Sequence, residues 1–186
     1  MQQVKSENGY DVVFDSPPGR LGIRCRDDRI TRLDYLANTA PLKAATTPFE
    51  QRILKQLAQF FVNPGHHFRL ALDMQGTDFQ CRVWQALTEI PAGQTLTYGE
   101  LAARLDSGAR AVGNACRNNP VSVIVPCHRV VSATGIGGYS GSTGGREIQR
   151  KQWLLRHEGI VGSVLKTRKK APYTGLHNSQ QRNLHA

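Results

Sequence analysis

Acidic residues are almost absent from the last eighty residues of this 186-residue chain. Residues 107–186 hold twelve lysines and arginines but only two carboxylates, Glu147 and Glu158, whereas residues 1–106 hold twelve residues of each sign. The net charge of +10 therefore lies entirely in the second part of the chain. This asymmetry favours a polyanionic partner such as nucleic acid, because lysines and arginines that approach phosphates release condensed counterions.

Long hydrophobic runs are also missing. No stretch approaches the roughly 18 apolar residues of a membrane span, and Met1–Gly9 is polar rather than a secretory signal. We therefore expect a cytoplasmic protein with no membrane partner, associated with the nucleoid when it is bound to DNA. The 39% of hydrophobic residues suffices for the core of one or two small domains.

Cysteine is scarce and its spacing is irregular. The four cysteines, at positions 25, 81, 116 and 127, show neither the paired spacing of a zinc site nor the density of a disulfide scaffold. His66 and His67 have no cysteine or carboxylate cluster beside them and are interpreted as polar loop residues. The sequence thus predicts no metal site.

Residues 1–75 have the pattern of a small α/β domain. Strands are predicted over residues 10–14, 21–25 and 30–36, with a hairpin turn at Asp27 and Asp28. Apolar residues then recur at helical spacing from Phe49 to Phe61. A boundary near Gly76 separates this domain from residues 76–163, and residues 164–186 form a basic tail that we expect to be disordered.

Residues 97–117 have the outline of a helix-turn-helix. One short helix is predicted after Thr97 and another from Ala109 to Arg117, with a tight turn at residues 106–108. The second helix is rich in small residues, and its bare surface between two arginines would let the backbone approach a groove closely. The small residues are Ala109, Ala111, Gly113 and Ala115. A tightly packed core helix explains the same composition, and the sequence leaves both interpretations open.

The dipeptide Cys127-His128 is the strongest sign of chemistry. An apolar run over residues 121–125, predicted to be a buried strand, ends at Pro126, so Cys127 should lie at the end of an element where a substrate can reach it. A thiol becomes a useful nucleophile when a neighbouring imidazole removes its proton or a cation compensates its charge. The alternative is a buried inert cysteine with an incidental histidine beside it.

An ordered set of motifs resembles the O6-alkylguanine-DNA alkyltransferases, the methylated-DNA–protein-cysteine methyltransferases. The resemblance is strong over residues 76–162 and weaker over residues 10–73. Its motifs are residues 76–80 (GTDFQ), 83–84 (VW), 90–93 (IPAG), 98–100 (YGE), 109–113 (ARAVG), 118–120 (NNP), 126–130 (PCHRV), 138–141 (GYSG) and 153–159 (WLLRHEG).

The resemblance implies a fold and a reaction. The implied fold begins with an α/β N-terminal domain that is ribonuclease-H-like and contains a small antiparallel sheet and a helix. A mostly α C-terminal domain follows, and its helix-turn-helix is winged-helix-like. The reaction is DNA repair in one irreversible step without a cofactor, in which Cys127 accepts the alkyl group. His128 matches the base that acts through a water, and Glu158 matches the carboxylate that orients it. Asn119 matches the residue that ties the helix-turn-helix to the active-site turn.

The implied partner is double-stranded DNA that contains O6-alkylguanine, and by extension O4-alkylthymine, with the target base flipped out of the duplex. Arg110 matches the arginine that fills the vacated stack, Tyr98 contacts the flipped guanine, and the Ser140 amide donates to O6. The protein is expected to be a monomer in solution, and the sequence leaves open whether neighbouring molecules bind DNA cooperatively. The other expected substrate- and DNA-binding residues are Ala109, Ala111, Gly113, Arg117, Arg129, Val130 and Tyr139.

Two segments depart from the family pattern. The turn at residues 105–108 is short, and the join at residues 142–148 is long and rich in glycine, which predicts a mobile lid that admits adducts larger than methyl. Three other functions were weighed. They are a lesion-binding protein without chemistry, a cysteine hydrolase, and an alkylation sensor that activates transcription. The cysteine at position 127 argues against the first of them.

Overall fold

A three-stranded antiparallel sheet opens the fold. The computed structural model describes residues 9–162, and its strands β1 (Val12–Phe14), β2 (Leu21–Arg26) and β3 (Arg29–Tyr35) pair in sequence order. Asp27 and Asp28 both have positive φ, 50° and 52°, as a two-residue hairpin turn requires. The predicted antiparallel sheet and its turn are confirmed.

Helix α1 (Pro48–Val62) covers the sheet, as the helical spacing predicts. It begins at a capping box in which the Thr47 hydroxyl accepts from the Glu50 amide, and Pro48 fits the first helical position. Its buried face carries Ile53, Leu57 and Phe60. The N-terminal part is therefore an α/β unit.

Helix α2 (Asp78–Thr88) starts at a second capping box, on Thr77, and is fixed by a buried tryptophan. Trp84 is 1% exposed, and its Nε1 donates to the carbonyl of Ala115 at 2.9 Å. A Cβ at Gly76 would lie 2.6 Å from the same ring, so the chain enters α2 through a position that only glycine fits. The hydrogen bond from Trp84 joins α2 to the helix that carries Ala115.

The predicted helix-turn-helix outline is present as two packed helices, α3 (Tyr98–Arg104) and α4 (Ala109–Arg117). The four-residue connection over 105–108 turns at Asp106, whose φ is 49°. Strand β4 (Leu96–Thr97) leads directly into α3. It pairs in parallel with β5 (Val130–Val131), which places the start of α3 beside the segment that follows Cys127.

The apolar run at residues 121–125 is not a strand, and that prediction is wrong. The run is fully buried, but only Val121 makes a ladder contact, a single bridge to Leu33, and Val123 has φ 72°. The Asn119 side chain supplies hydrogen bonds that a neighbouring strand would otherwise supply. It accepts from the Val121 amide at 3.0 Å and donates to the Val125 carbonyl at 2.8 Å. The run is therefore a turn, and a one-turn 3-10 helix, Cys127–Arg129, follows it.

The final helix, α5 (Gly145–His157), begins earlier than expected. Residues 145–148, assigned from the sequence to a long join, form its first turn, so the connection to residues 138–141 is only residues 142–144. His157 near its end bonds the Phe60 carbonyl at 2.7 Å and ties α5 to α1.

One buried cluster runs from the sheet to α5 and includes Ile23, Ile53, Trp84 and Leu154. Within residues 9–162, no helix has the length and apolar character needed to cross a membrane. Met1–Glu7 and the predicted tail over 164–186 lie outside the described residues.

Candidate active site

Cys127 opens on a cavity of about 230 Å³. The residue is only 4% exposed, so the cavity is the route by which a substrate reaches its thiol. Helices α3 and α4, the 3-10 helix and the segment before α5 each supply part of the wall. The lining residues are Tyr98, Gly113, Cys116, Arg117, Cys127 and residues 138–143.

Asn119 positions the thiol. Its Nδ2 lies 3.2 Å from Cys127 Sγ and 2.8 Å from the Val125 carbonyl, while its Oδ1 accepts from Val121. One side chain at the end of α4 thus holds both the buried turn and the sulfur.

Next to the cysteine, His128 and Glu158 form a buried, hydrogen-bonded pair. His128 Nε2 lies 2.9 Å from Glu158 Oε1, and both side chains are fully buried. Burial lowers the pKa of His128, and Glu158 opposes that shift only in part, so the imidazole is neutral near pH 7. With Nε2–H donating to the carboxylate, Nδ1 is left as the acceptor.

Arg129 does not line the cavity, although the sequence assigned it to substrate and DNA binding. Its Nη2 lies 2.8 Å from Glu158 Oε1, its Nε bonds both carboxylate oxygens, and its Nη1 donates to the Ile90 carbonyl. Its side chain is 12% exposed. Burial alone would raise the pKa of Glu158, but His128 and Arg129 together lower it to about 2.

The resting cysteine is a thiol. Burial raises the pKa of Cys127, while the Asn119 hydrogen bond and the charge of Lys151 oppose that rise. The sequence predicts a thiol that a neighbouring imidazole activates by taking its proton, and a raised pKa at Cys127 agrees with a proton that is lost during the reaction. Any chemistry at this site therefore depends on a base.

The opposite wall is a tight turn beside a phenol. Tyr98 Oη donates to the Gly138 carbonyl at 3.1 Å. Tyr139 and Ser142 exchange two backbone bonds of 2.9 Å around Ser140 and Gly141, whose φ values are 47° and 81°. Ser140 is exposed at the tip of this turn and lies at the edge of the cavity.

Helix α4 presents its polar side outward. Ala109, Arg110, Asn114 and Arg117 are exposed, and Arg117 lies against Gly141, where a Cβ would come within 2.6 Å of its Nε. Ala111 and Gly113 are half-buried. Ala115, expected on the bare surface, is buried beneath Trp84. The core-packing interpretation therefore holds for the face that carries Val112, Ala115 and Cys116, and the opposite face is exposed.

Of the remaining predicted residues, Val130 is buried in β5 and Tyr139 is buried in the cavity wall. Arg110 lies outside the lining. Sequence reasoning missed Cys116, which lines the cavity, and Lys151, which is 0% exposed. Helical spacing was the available signal for Lys151, because residues 151, 154, 155 and 158 share one face of α5. No group of three or more potential metal ligands occurs within residues 9–162.

Comparison with known proteins agrees with this geometry. Residues 78–160 match the family model for the 6-O-methylguanine DNA methyltransferase DNA-binding domain. The methylated-DNA–protein-cysteine methyltransferase of Mycolicibacterium paratuberculosis is 39% identical in an alignment of 153 residues that covers 78% of this chain and 90% of that protein. The Salmonella typhimurium protein of the same name is 55% identical over 89 residues, 46% of this chain and 49% of that one.

Solved structures extend the match to the fold. Mycobacterium tuberculosis O6-methylguanine methyltransferase superposes with a TM-score of 0.66 at 38% identity, covering 78% of this chain and 90% of that one. The structure of Mycobacterium tuberculosis OGT in complex with DNA gives the same TM-score and identity over 80% and 92% of the two chains. The chain described here belongs to the family of methylated-DNA–protein-cysteine methyltransferases.

Proposed function

We propose that this protein repairs DNA by moving an alkyl group from guanine O6 to Cys127 Sγ in a single irreversible step. The observation that carries the proposal is the His128–Glu158 hydrogen bond of 2.9 Å, directly beside a cysteine that opens on a cavity. An S–C bond forms, the C–O6 bond breaks, and its electron pair leaves with the guanine. The thiol proton goes to His128, and the guanine is reprotonated.

The proton path follows from the histidine tautomer. Because Nε2 is bonded to Glu158, Nδ1 is the free base, and it is a buried atom with no hydrogen-bond partner among the described residues. We place a bridging water between Nδ1 and Cys127 Sγ. Arg129 keeps Glu158 ionised, so the carboxylate stabilises the imidazolium as it forms.

On the DNA side, the exposed face of α4 enters the minor groove, and Arg110 replaces the flipped base in the stack. The small side chains of Ala109, Ala111 and Gly113 allow the close approach, and Arg117 reaches the backbone. The flipped base enters the cavity against Tyr98, where the Ser140 amide donates to O6 and helps the guanine to leave. O4-alkylthymine would enter by the same route.

Several finer features complete the proposal. The α/β unit is ribonuclease-H-like, the helix-turn-helix is winged-helix-like, and the two domains meet near Gly76. The protein acts in the cytoplasm as a monomer that binds DNA cooperatively. Analytical ultracentrifugation with and without a long duplex tests whether the protein is a monomer and whether it binds DNA cooperatively.

The deciding experiment is intact mass measurement after incubation with a duplex that contains O6-methylguanine, followed by peptide mapping. We expect one methylene unit per protein molecule, located on Cys127. Binding to the lesion without a gain of mass would favour the lesion-binding alternative. Repeated turnover with excess substrate would favour a hydrolase.

Replacing Arg110 by alanine should slow methyl transfer from duplex DNA by roughly 10- to 100-fold, because the vacated stack is worth a few kcal/mol. Transfer from a single-stranded oligonucleotide should fall much less, since no stack must be replaced. Single-turnover rates on both substrates test this prediction. Arg52→Ala removes an equally exposed charge from α1 and serves as the control. Equal slowing of Arg110→Ala on both substrates would contradict the stacking role.

O6-benzylguanine carrying a dye should label Cys127. The cavity is bounded on one side by residues 141–143, which are exposed or half-buried, and a Cβ at Gly144 would meet nothing within 4 Å. A larger group can therefore displace this edge without displacing the core. In-gel fluorescence with Cys127→Ala as the blank measures the labelling. Absence of labelling while methyl repair proceeds would contradict the prediction.

A further inference from the structure

Arg146 is an exposed arginine near the cavity to which the proposed function assigns no role. It lies in the first turn of α5, three residues after Thr143, which lines the cavity. Because consecutive Cα atoms are about 3.8 Å apart, the Cα atoms of these two residues are separated by at most about 11 Å. Within residues 9–162, the Arg146 side chain forms no hydrogen bond or ion pair. Its charge is therefore free to bind a partner.

The acidic residues of this part of the chain do not offset that charge. Residues 107–162 contain two carboxylates, and both are ion-paired inside the protein, Glu158 with Arg129 and Glu147 with Arg150. Four arginines of the same range are exposed. They are Arg110, Arg117, Arg146 and Arg156. The first two lie on α4, and Arg146 is the other one that lies close to the cavity.

The first turn of α5 is anchored to strand β3. The Cζ atom of Arg150 lies 4.3 Å from the centre of the Tyr35 ring, and its Nη2 donates to the Leu36 carbonyl at 3.2 Å. Its Nη1 bonds Glu147, the residue that follows Arg146. A backbone that is already held in place reduces the ordering cost of binding. Arg146 is therefore presented from a preorganised turn.

The segment between the cavity and Arg146 is open to close approach. A Cβ at Gly144 or at Gly145 would meet nothing within 4 Å. The segment nevertheless has a defined shape, because Ser142 Oγ donates to the Gly144 carbonyl at 2.9 Å. An extended ligand can therefore lie along this edge without displacing side chains.

The ligand that must cross this edge is a DNA backbone. A base that leaves the duplex and enters the cavity brings its own sugar and the phosphates on either side of it to the opening. Arg117 lines the cavity from α4, and Ser142 and Thr143 line it from the segment before α5. A guanidinium fits a phosphate well, because it can donate two parallel N–H bonds to the phosphate oxygens.

We propose that Arg146 binds a phosphate next to the flipped nucleotide and, together with Arg117, holds the backbone of that nucleotide at the opening of the cavity. This inference rests on the proposed transfer to Cys127 and adds a DNA-binding residue to it. The contact is to the backbone, so it does not depend on base sequence. It also differs from the role of Arg110, because the phosphates accompany the reacting nucleotide in single-stranded DNA as well as in a duplex.

The test compares wild type with Arg146→Ala, Arg146→Lys and Arg156→Ala. Arg156 provides the matched control, since it is exposed on the same helix, ten residues and about 15 Å farther along. Second-order rate constants for methyl transfer are measured between about 50 and 200 mM NaCl, with duplex and with single-stranded DNA that contain O6-methylguanine. Alkylation of Cys127 by chloroacetamide, which carries no phosphate, is measured by peptide mass. Thermal melting establishes that each variant is folded.

We expect Arg146→Ala to react about tenfold more slowly than wild type with both DNA substrates near 100 mM NaCl. One phosphate contact contributes about 0.9 to the slope of log rate constant against log salt on a duplex and about 0.7 on a single strand, and the slopes should become shallower by about these amounts. Arg146→Lys should keep most of the rate, because lysine binds phosphate as a point charge. Arg156→Ala should keep the wild-type slope, and chloroacetamide should react equally with all four proteins.

A folded Arg146→Ala protein with the wild-type slope, or with the same change as Arg156→Ala, would overturn the proposal. A loss confined to duplex DNA would overturn it as well, since the phosphates are present in both substrates. An equal loss with chloroacetamide would place the effect in the cavity rather than on the DNA. If DNA adds no mass to wild type, the transfer proposal fails. If wild type is methylated and Arg146→Ala keeps its rate and slope, the role of Arg146 fails alone.

Discussion

Serine in place of Cys127 is expected to abolish methyl transfer while binding to lesion-containing DNA persists. The hydroxyl holds its proton far more tightly than a thiol, so a neutral imidazole cannot generate the nucleophile. A loss on the order of 10⁴-fold or more is expected, as in enzymes that lose their nucleophile. Serine can still accept the hydrogen bond from Asn119 Nδ2, so the fold should be retained.

Intact mass and gel-shift measurements on the same protein samples test this expectation. Cys81→Ser is the matched control, because Cys81 is an exposed cysteine on α2 far from the cavity lining. It should gain one methylene unit at the wild-type rate. A methylated peptide containing Cys116 in the Cys127→Ser protein would contradict the assignment, since it would show that the second thiol of the cavity is an acceptor.

Replacing Glu158 by glutamine should slow transfer by about 100-fold, within the usual contribution of a general base that is held in place. The neutral amide no longer stabilises the imidazolium, and its NH2 group can donate to His128 Nε2, which favours the tautomer whose proton is on Nδ1. The change also leaves Arg129 without its anion. We expect the free energy of unfolding to fall by about 3 kcal/mol, as when one partner of a buried ion pair is removed.

The matched control is Glu147→Gln in helix α5, which removes the only other carboxylate of residues 107–186. Glu147 pairs with Arg150 and not with His128. Its replacement by glutamine should therefore leave the transfer rate within about twofold of wild type. Single-turnover rates and urea unfolding measure the two effects. Equal rates in Glu158→Gln and Glu147→Gln would exclude the carboxylate from the proton path.

Acid stability supplies an independent check on Glu158. Its folded pKa of about 2 lies below the ordinary value of 4.5, so its contribution to stability is complete above about pH 4.5. That contribution is lost as the pH falls from there toward 2. The buried neutral His128 adds a loss of stability below its ordinary pKa of 6.5, because the unfolded state binds the proton more readily. Urea unfolding of Glu158→Gln should show a flatter dependence below pH 4.5.

The parts of the fold that were predicted correctly are those fixed by neighbours in sequence. The Asp27–Asp28 turn and the helical spacing from Phe49 to Phe61 are local signals, and the turn and helix α1 occur where these signals place them. The strand predicted over residues 121–125 was wrong because a valine-rich run favours a strand, whereas here the side-chain amide of Asn119 forms hydrogen bonds with the backbone of Val121 and Val125. Local propensity contains no information on that side chain.

Charge was the less reliable guide to the site. The basic composition of residues 107–186 correctly indicates that DNA is the partner. A count of lysines and arginines does not show, however, where each side chain points. Arg129, Arg150 and Lys151 are turned inward, with side-chain or residue exposures of 12%, 4% and 0%. They bond Glu158, Glu147 and two carbonyls rather than a phosphate. The surface available to DNA is therefore less positive than the composition suggests.

Glu158, the partner of His128, lies thirty residues farther along the chain, at the end of helix α5. During synthesis, Cys127 and His128 are therefore added to the chain before the carboxylate exists. Until α5 docks through Leu154 and Lys151, Cys127 is an ordinary thiol without an oriented base. The oriented base exists only when the fold is complete, and if transfer is irreversible, as proposed above, this order protects the chain from being consumed before it reaches DNA.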